Sequence, residues 1–130
     1  MMNIKAIFFD IDGTIRSFKT KTIPENTANT LRKLKEKGIK IFIATGRAPF
    51  HTTFLNDLLD FKFDGYITIN GQYCYLESGE VLNDKILSKD DIKNVLPYFK
   101  ENNIACDFAL LDGAFMNLKN PRVKWLEDEL

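Results

Sequence analysis

The chain has 130 residues, of which 45% are hydrophobic and 28% are charged, a balance typical of a soluble globular protein with one domain or slightly more. Eighteen Lys and Arg residues balance eighteen Asp and Glu residues, which argues against a general nucleic-acid binder and a polybasic membrane-surface protein. The apolar N-terminal run is too short for a membrane span and lacks a signal-peptide cleavage site. Cys74 and Cys106 show no metal-ligand spacing, so we expect two buried, reduced thiols and a cytoplasmic location.

The first half of the chain alternates predicted strands and helices. Apolar runs predict strands at residues 4–9, 39–44 and 66–69, and Pro24 and Pro49 each suit the start of a helix between them. The first helix would end at Gly38 and bury Ala28, Leu31 and Leu34. The second helix would bury Phe50, Phe54, Leu55, Leu58 and Leu59. This order with short connections predicts an α/β fold, a Rossmann-like parallel sheet with flanking helices.

The pattern changes after Asn70-Gly71. Residues 73–75 and 81–82 flank Ser78-Gly79 and predict a β-hairpin, and Asp112-Gly113 predicts a second hairpin. Ser88 with Asp91 resembles a capping box, and that helix would bury Ile92, Val95, Leu96 and Phe99. A last helix would begin at Pro121 and place on one face Val123, Leu126 and Leu130. We place the domain boundary near residue 80.

Two polar segments follow the first two predicted strands. Asp10 and Asp12 end strand one and, being two residues apart, can face the same ligand, while Thr45 ends strand two. Ligands of open parallel sheets bind beyond the carboxyl ends of the strands, so these side chains should converge. Two close carboxylates repel each other, and a divalent cation such as Mg²⁺ would relieve that repulsion. Asp10 could then attack phosphorus, Asp12 could act as general acid and base, and Thr45 could hold phosphoryl oxygens.

These segments resemble two motifs of the haloacid dehalogenase-like hydrolases. Residues 9–15 (Phe-Asp-Ile-Asp-Gly-Thr-Ile) resemble the first motif, and residues 43–47 (Ile-Ala-Thr-Gly-Arg) resemble the second. The resemblance implies Asp10 as nucleophile, Asp12 as general acid/base and Thr45 as phosphate ligand. It also implies Mg²⁺ bound by the Asp10 carboxylate and the Asp12 backbone carbonyl. The residues expected to bind phosphate or substrate are Gly13, Thr45, Gly46 and Arg47.

Residues 67–71 followed by a hairpin resemble the Cof-type branch of that family. This resemblance implies a core at residues 1–80, part of an α/β cap at 81–130, and a small phosphate ester such as a sugar phosphate as substrate. Relatives of this branch are longer and carry a third-motif Lys and a fourth-motif acidic cluster, neither of which we find here. We therefore expect a truncated phosphatase that self-associates through the open edge of strand one.

Several alternatives stay open on the sequence alone. The chain could instead be a catalytically inactive phosphate- or metal-binding remnant, or a receiver-type signalling domain, although a receiver would need an aspartate after its third strand. Arg47 either contacts substrate or forms a structural ion pair. Asn70 is interpreted as a turn residue rather than a ligand, and His51 as a solvated side chain. Three aromatic residues are interpreted as packing residues: Tyr73, Tyr75 and Phe115.

Overall fold

The computed structural model describes residues 4–121, 123 and 124. The chain divides into two compact units, Met1–Lys85 and Ile86–Leu130. The first unit ends at Lys85 rather than near residue 80 because the strand at 81–84 pairs within its sheet. The interpretation of the two units as core and cap stays a prediction. None of the helices in the described ranges is long and apolar enough to cross a membrane.

The first unit contains one five-stranded sheet and two α-helices. Its elements are β1 (Ala6–Phe9), α1 (Glu25–Glu36), β2 (Lys40–Ala44), α2 (Phe54–Leu58), β3 (Gly65–Thr68), β4 (Tyr73–Leu76) and β5 (Val81–Asp84). The strand order is β1-β2-β3-β4-β5, with β1, β2 and β3 parallel and β4 and β5 added as an antiparallel hairpin. The α/β fold and the first hairpin are therefore confirmed. β1 lies at the edge of the sheet, paired with β2.

The core of this unit lies between one face of the sheet and the helices. Ile41 and Ile43 of β2 are fully buried, and α1 adds Leu31, which is 2% exposed. Burial of each such side chain stabilises the fold by about 1.5–3 kcal/mol. α1 ends where predicted because Gly38 has a φ of +73°, a left-handed conformation that suits glycine. α1 therefore packs against the sheet through its buried stripe.

The helix predicted to begin at Pro49 is shorter than expected. Residues Pro49–Thr52 form a 3₁₀ turn, and α2 covers only Phe54–Leu58. The hydroxyl of Thr52 donates to the Pro49 carbonyl at 2.7 Å, and the hydroxyl of Thr53 donates to the Phe50 carbonyl at 3.0 Å. Such side-chain bonds compete with the helical ladder and explain the interruption. Within the predicted buried stripe, Leu55 and Leu59 are buried, and Phe50 and Phe54 are partly buried. The prediction that Leu58 is buried was wrong, because this residue is half exposed.

The second unit contains α3 (Lys89–Glu101), β6 (Asp107–Ala109) and β7 (Ala114–Met116). The predicted capping box is confirmed, because the Asp91 N–H donates to Ser88 Oγ at 3.1 Å and the Ser88 N–H donates to Asp91 Oδ2 at 3.0 Å. β6 and β7 form the predicted antiparallel hairpin around Asp112-Gly113. The predicted apolar face of α3 is only partly buried, and Val95 is exposed. Leu126 and Leu130 of the last predicted helix lie outside the described residues.

The two cysteines are unpaired thiols, as expected. Both Cys74 and Cys106 are half-buried rather than buried. Tyr75 packs as predicted, stacked on Tyr66 with ring centroids 5.0 Å apart. Phe115, also expected to pack, is 61% exposed because the short β6–β7 hairpin presents it to solvent.

Candidate active site

The predicted site residues of the two motifs meet at one edge of the sheet. Phe9 and Ile43 are the last register partners of the parallel strands β1 and β2. The next residues along the two strands, Asp10 and Ala44, therefore lie side by side at the ends of these strands. Thr45 follows directly at the end of β2. The parallel pairing therefore brings the Asp10 segment and the Thr45 segment to the same carboxyl-terminal edge, as the sequence predicted.

A tight turn after β1 sets the positions of the two aspartates. The Ile11 carbonyl accepts N–H bonds from Thr14, Ile15 and Arg16 at 3.3, 3.0 and 2.8 Å. The turn buries the side chains of Ile11 and Ile15 and leaves Asp10 exposed and Asp12 half-buried. These apolar anchors fix the backbone between the two carboxylates.

Gly13 occupies the position of the turn that only glycine accommodates well. Its φ is +82°, and a Cβ placed on it would lie 2.4 Å from Cε2 of Phe18. Its N–H donates to the Arg16 carbonyl at 2.8 Å. Gly13 therefore shapes the turn, and its N–H is engaged within the turn.

Two arginines hold the Asp12 carboxylate. Arg47 binds it with both branches of its guanidinium, Nε to Oδ2 at 2.7 Å and Nη2 to Oδ1 at 2.9 Å. Arg16 adds a third bond, Nη1 to Oδ1 at 3.2 Å. The hydrogen bond from Arg47 is the main cause that lowers the pKa of Asp12 below its ordinary value of 3.8, with Arg16 adding to the shift and partial burial opposing it. Asp12 is therefore ionised in this arrangement. The Arg47–Asp12 ion pair is present, and contact of Arg47 with a substrate stays a prediction.

Both guanidinium groups lie over the ring of Phe54. The Cζ atoms of Arg16 and Arg47 are 5.9 and 5.4 Å from the ring centroid, within the range of cation–π attraction. The two arginine side chains are only 14% and 11% exposed. We call Asp12, Arg16, Arg47 and Phe54 the arginine cluster.

Sequence reasoning missed two members of the arginine cluster. Arg16 lay in a segment interpreted only as polar, although its spacing of four residues from Asp12 is a usable signal for an ion pair. Phe54 was interpreted as a core residue alone. The prediction that His51 is a merely solvated side chain was wrong, because the residue is half-buried and its ring centroid lies 3.9 Å from that of Phe50. The His51 backbone carbonyl separately accepts a bond from Arg47 Nη1 at 3.4 Å.

Thr45 presents a hydroxyl at the end of β2. The residue is 7% exposed, and its Oγ1 accepts the Arg47 N–H at 3.1 Å. Because that bond uses a lone pair, the hydroxyl hydrogen is left to donate to an anion. The Thr45 N–H donates to the Ile67 carbonyl of β3 at 2.9 Å, which fixes the backbone of this residue.

The bend after β3 contacts the loop that follows β2. The Ile69 N–H donates to the Arg47 carbonyl at 3.0 Å, and the Asn70 N–H donates to the Thr45 carbonyl at 3.2 Å. Asn70 has a φ of +53°, so it is the turn residue that the sequence predicted. Its side chain is exposed and lies beside Gly46.

The site offers two oxygen donors that suit a hard cation. The Asp10 carboxylate is exposed and makes no ion pair with another described residue, and the Asp12 carbonyl accepts none of the backbone bonds described for this turn. No group of three His, Cys, Asp or Glu side chains able to hold a metal occurs within residues 4–121, 123 and 124. Mg²⁺ is commonly held by one or two protein oxygens together with water and substrate phosphate, so this donor set fits that ion.

Comparison with known proteins places the chain in a family. The sequence pattern of the haloacid dehalogenase-like hydrolases matches residues 7–129. The Bacillus subtilis protein YkrA is 38% identical over 95 residues, which cover 73% of this chain and 35% of that protein. An HMP-PP phosphatase of Escherichia coli (strain CFT073) is 31% identical over 114 residues, which cover 87% of this chain and 41% of that protein.

Solved structures agree with the sequence comparison. The sugar phosphatase BT4131, of HAD subclass IIB, superposes with a TM-score of 0.76 at 36% identity and covers 95% of this chain and 47% of its own. The chain thus spans between about a third and a half of the length of these three proteins. The site geometry, the family pattern and the fold agree, and the chain belongs to the haloacid dehalogenase-like hydrolases.

Proposed function

We propose that this chain carries the catalytic aspartates of a Mg²⁺-dependent phosphatase that hydrolyses small phosphate esters through an aspartyl-phosphate. The observation that carries the proposal is the exposed Asp10 carboxylate at the end of β1, two residues before an Asp12 carboxylate oriented by two arginines. The names of an HMP-PP phosphatase and a sugar phosphatase among similar proteins support a small phosphorylated metabolite as substrate. The free thiols of Cys74 and Cys106 support a cytoplasmic location.

In the proposed reaction the Asp10 carboxylate attacks phosphorus, and the bond to the leaving oxygen breaks as the aspartyl-phosphate forms. Asp12, protonated once at least one of its arginine bonds has broken, gives that proton to the leaving oxygen. The ionised Asp12 then takes a proton from a water molecule, which attacks the aspartyl-phosphate and releases phosphate. Thr45 donates its hydroxyl hydrogen to a phosphoryl oxygen, beside the backbone of Gly46. A Mg²⁺ ion held by the Asp10 carboxylate and the Asp12 carbonyl would neutralise negative charge on the phosphoryl group.

A second candidate function is phosphate binding without turnover. The observation that favours it is the arginine cluster, in which both Asp12 oxygens accept guanidinium bonds. A carboxylate held in this way is ionised and cannot give a proton to a leaving group until at least one arginine moves. The binding function would keep Thr45 as a phosphate contact and would need no proton transfer.

Hydrolysis of p-nitrophenyl phosphate by the full chain, with and without Mg²⁺, tests the proposed reaction. We expect turnover that requires Mg²⁺ and that disappears in Asp10→Asn, a variant of nearly the same shape without a nucleophilic carboxylate. Titration with inorganic phosphate, followed by the amide signals of Thr45 and Gly46, measures binding separately. Binding without turnover would support the second function, and turnover that survives in Asp10→Asn would refute the aspartyl-phosphate.

We also infer that β1 associates with a second copy of the chain. β1 lies at the edge of the sheet, and its Phe8 is 55% exposed and stacked on Phe42 with ring centroids 4.8 Å apart. An edge strand with apolar exposed residues is a template for strand pairing. Light scattering over a range of concentrations should give a mass above that of one chain, and Phe8→Lys should lower it. A monomeric mass at high concentration would overturn this inference.

A further inference from the structure

We propose that Asn70 is a positioning residue, whose left-handed backbone holds the loop Thr45–Arg47 in the shape that binds phosphate. The proposal rests on the proposed function in one respect, namely that this loop is the phosphate-binding loop. Asn70 acts through the loop and not through contact with the substrate. We call Ile69, Asn70 and Gly71 the β3 bend.

The β3 bend has an unusual backbone. Its three residues have φ values of +49°, +53° and +93° in succession. Glycine and asparagine tolerate this left-handed region, but Ile69 is β-branched and is a genuine outlier there. Strained backbone of this kind persists only where surrounding contacts hold it, and it concentrates at functional sites.

The strained backbone makes two hydrogen bonds to the loop after β2. The Ile69 N–H reaches the Arg47 carbonyl at 3.0 Å, and the Asn70 N–H reaches the Thr45 carbonyl at 3.2 Å. The bend closes on itself through the Gln72 N–H, which donates to the Ile69 carbonyl at 3.1 Å. Both carbonyls of the loop are thereby turned toward β3. The donors left to the loop are the Thr45 hydroxyl and the Gly46 N–H, for which no backbone bond is found among the described residues.

The side chain of Asn70 lies against Gly46, so that a side chain on Gly46 would make a tight contact with it. A Cβ placed on Gly46 would lie 3.1 Å from Oδ1 and 3.6 Å from Nδ2 of Asn70. Gly46 does not have a left-handed φ, so the close contact with Asn70, and not the backbone conformation, is what favours glycine at this position. Gly46 and Asn70 therefore form a matched pair in which the bend and the loop approach closely.

Phosphate affinity of two Asn70 variants tests the proposal. Asn70→Gly keeps the left-handed conformation at no steric cost, whereas Asn70→Val places a second β-branched residue there. We expect inorganic phosphate, titrated into the full chain and followed by amide signals, to bind Asn70→Gly within about threefold of the parent affinity and Asn70→Val at least tenfold more weakly. The Thr45 and Gly46 amide signals should shift in Asn70→Val before any phosphate is added.

Asn103 provides a matched control in the second unit, because it follows α3 with a φ of +54°. Asn103→Val carries the same conformational penalty and should leave phosphate affinity unchanged. The proposal is overturned if Asn70→Val binds phosphate like the parent, or if Asn103→Val weakens binding equally. It is also overturned if Asn70→Gly loses as much as Asn70→Val, which would assign the effect to the carboxamide. A parent chain that binds phosphate while its Asn70 variants behave alike refutes this inference and leaves the proposed function intact. A parent chain without phosphate affinity refutes both.

Discussion

Replacing Arg47 by methionine should destabilise the chain mainly through the loss of its two bonds to Asp12. Hydrogen bonds to charged groups contribute about 1.5–3 kcal/mol each to stability. Asp12 is 29% exposed and keeps its bond to Arg16, so water and Arg16 offset part of the loss. We expect Arg47→Met to lower the free energy of unfolding by about 2–3 kcal/mol near neutral pH. The methionine side chain retains apolar contact with Phe54, which limits the change to the lost polar contacts, namely the two bonds to Asp12 and the long bond of 3.4 Å to the His51 carbonyl.

Arg16→Met is the matched control for this prediction. Arg16 makes a single bond of 3.2 Å to Asp12 and an exposed bond of 3.1 Å to the Lys21 carbonyl, and it shares the ring of Phe54. Its replacement should therefore cost less, about 1 kcal/mol. The measurement is urea-induced unfolding followed by circular dichroism, with the parent chain and both variants compared under the same conditions. Equal losses in the two variants would refute the reasoning that the two-branched contact of Arg47 dominates.

The same experiment has a defined pH dependence. Arg47 and Arg16 lower the pKa of folded Asp12 below its unfolded value of 3.8. Their contribution to the free energy of unfolding is therefore complete above pH 3.8. It is lost as the pH falls through the lower pKa of the folded state, because Asp12 then takes up a proton. The stability gap between the parent and Arg47→Met should therefore shrink in acid. A gap that stays constant from neutral pH to about pH 2 would contradict the ion-pair account.

Two further predictions concern the turn after β1 and the start of β2. Gly13→Ala should lower the free energy of unfolding by about 1–2 kcal/mol through its left-handed φ, plus the cost of displacing Phe18. Gly38→Ala, with a φ of +73° and no atom within 4 Å of the new Cβ, is its control, and equal losses on chemical unfolding would show that the Phe18 contact costs nothing. Burial alone would raise the pKa of Asp64, but bonds from Lys40 Nζ at 2.8 Å and the Ile41 N–H at 2.9 Å lower it. Asp64→Ala should therefore cost about 1–3 kcal/mol at neutral pH and less below pH 3.8, and a thermal midpoint equal to that of the parent at neutral pH would disprove this.

Local patterns in the sequence predicted most of the fold. The apolar run at 39–44 is β2, and the Ser88–Asp91 spacing is a complete capping box, because both signals involve residues close together in the chain. The apolar spacing of residues 50–59 predicted a helix from Pro49, and the 3₁₀ turn at Pro49–Thr52 was missed. Two threonine hydroxyls donate to backbone carbonyls in this segment, and apolar spacing does not reveal such bonds.

The site was predictable where it depends on strand order and not where it depends on side-chain directions. Asp10 and Thr45 meet because β1 and β2 are parallel neighbours, and alternating strands and helices predict that arrangement. In the arginine cluster, Arg16 and Arg47 come from two different segments and both lie over the ring of Phe54. The spacing of residues in the sequence does not predict such a contact between distant segments. The roles assigned to Asp10, Asp12, Thr45 and the two loop glycines stay predictions until activity and binding are measured.

The arginine cluster changes the charge balance on which the sequence argument for a cation relied. That argument took two neighbouring carboxylates as a repulsive pair. Asp10 and Asp12 contribute two negative charges, and Arg16 and Arg47 contribute two positive ones, so the four groups sum to zero. The segments after β1 and β2 therefore supply positive charges that balance the two aspartates. We expect these segments to fold at low ionic strength without a divalent cation. Without phosphate a cation at this site would have, among the described residues, only the Asp10 carboxylate and the Asp12 carbonyl as protein ligands, and a cation contributes to stability only to the extent that it binds the folded state. Chelation should therefore leave the melting temperature of the phosphate-free chain nearly unchanged.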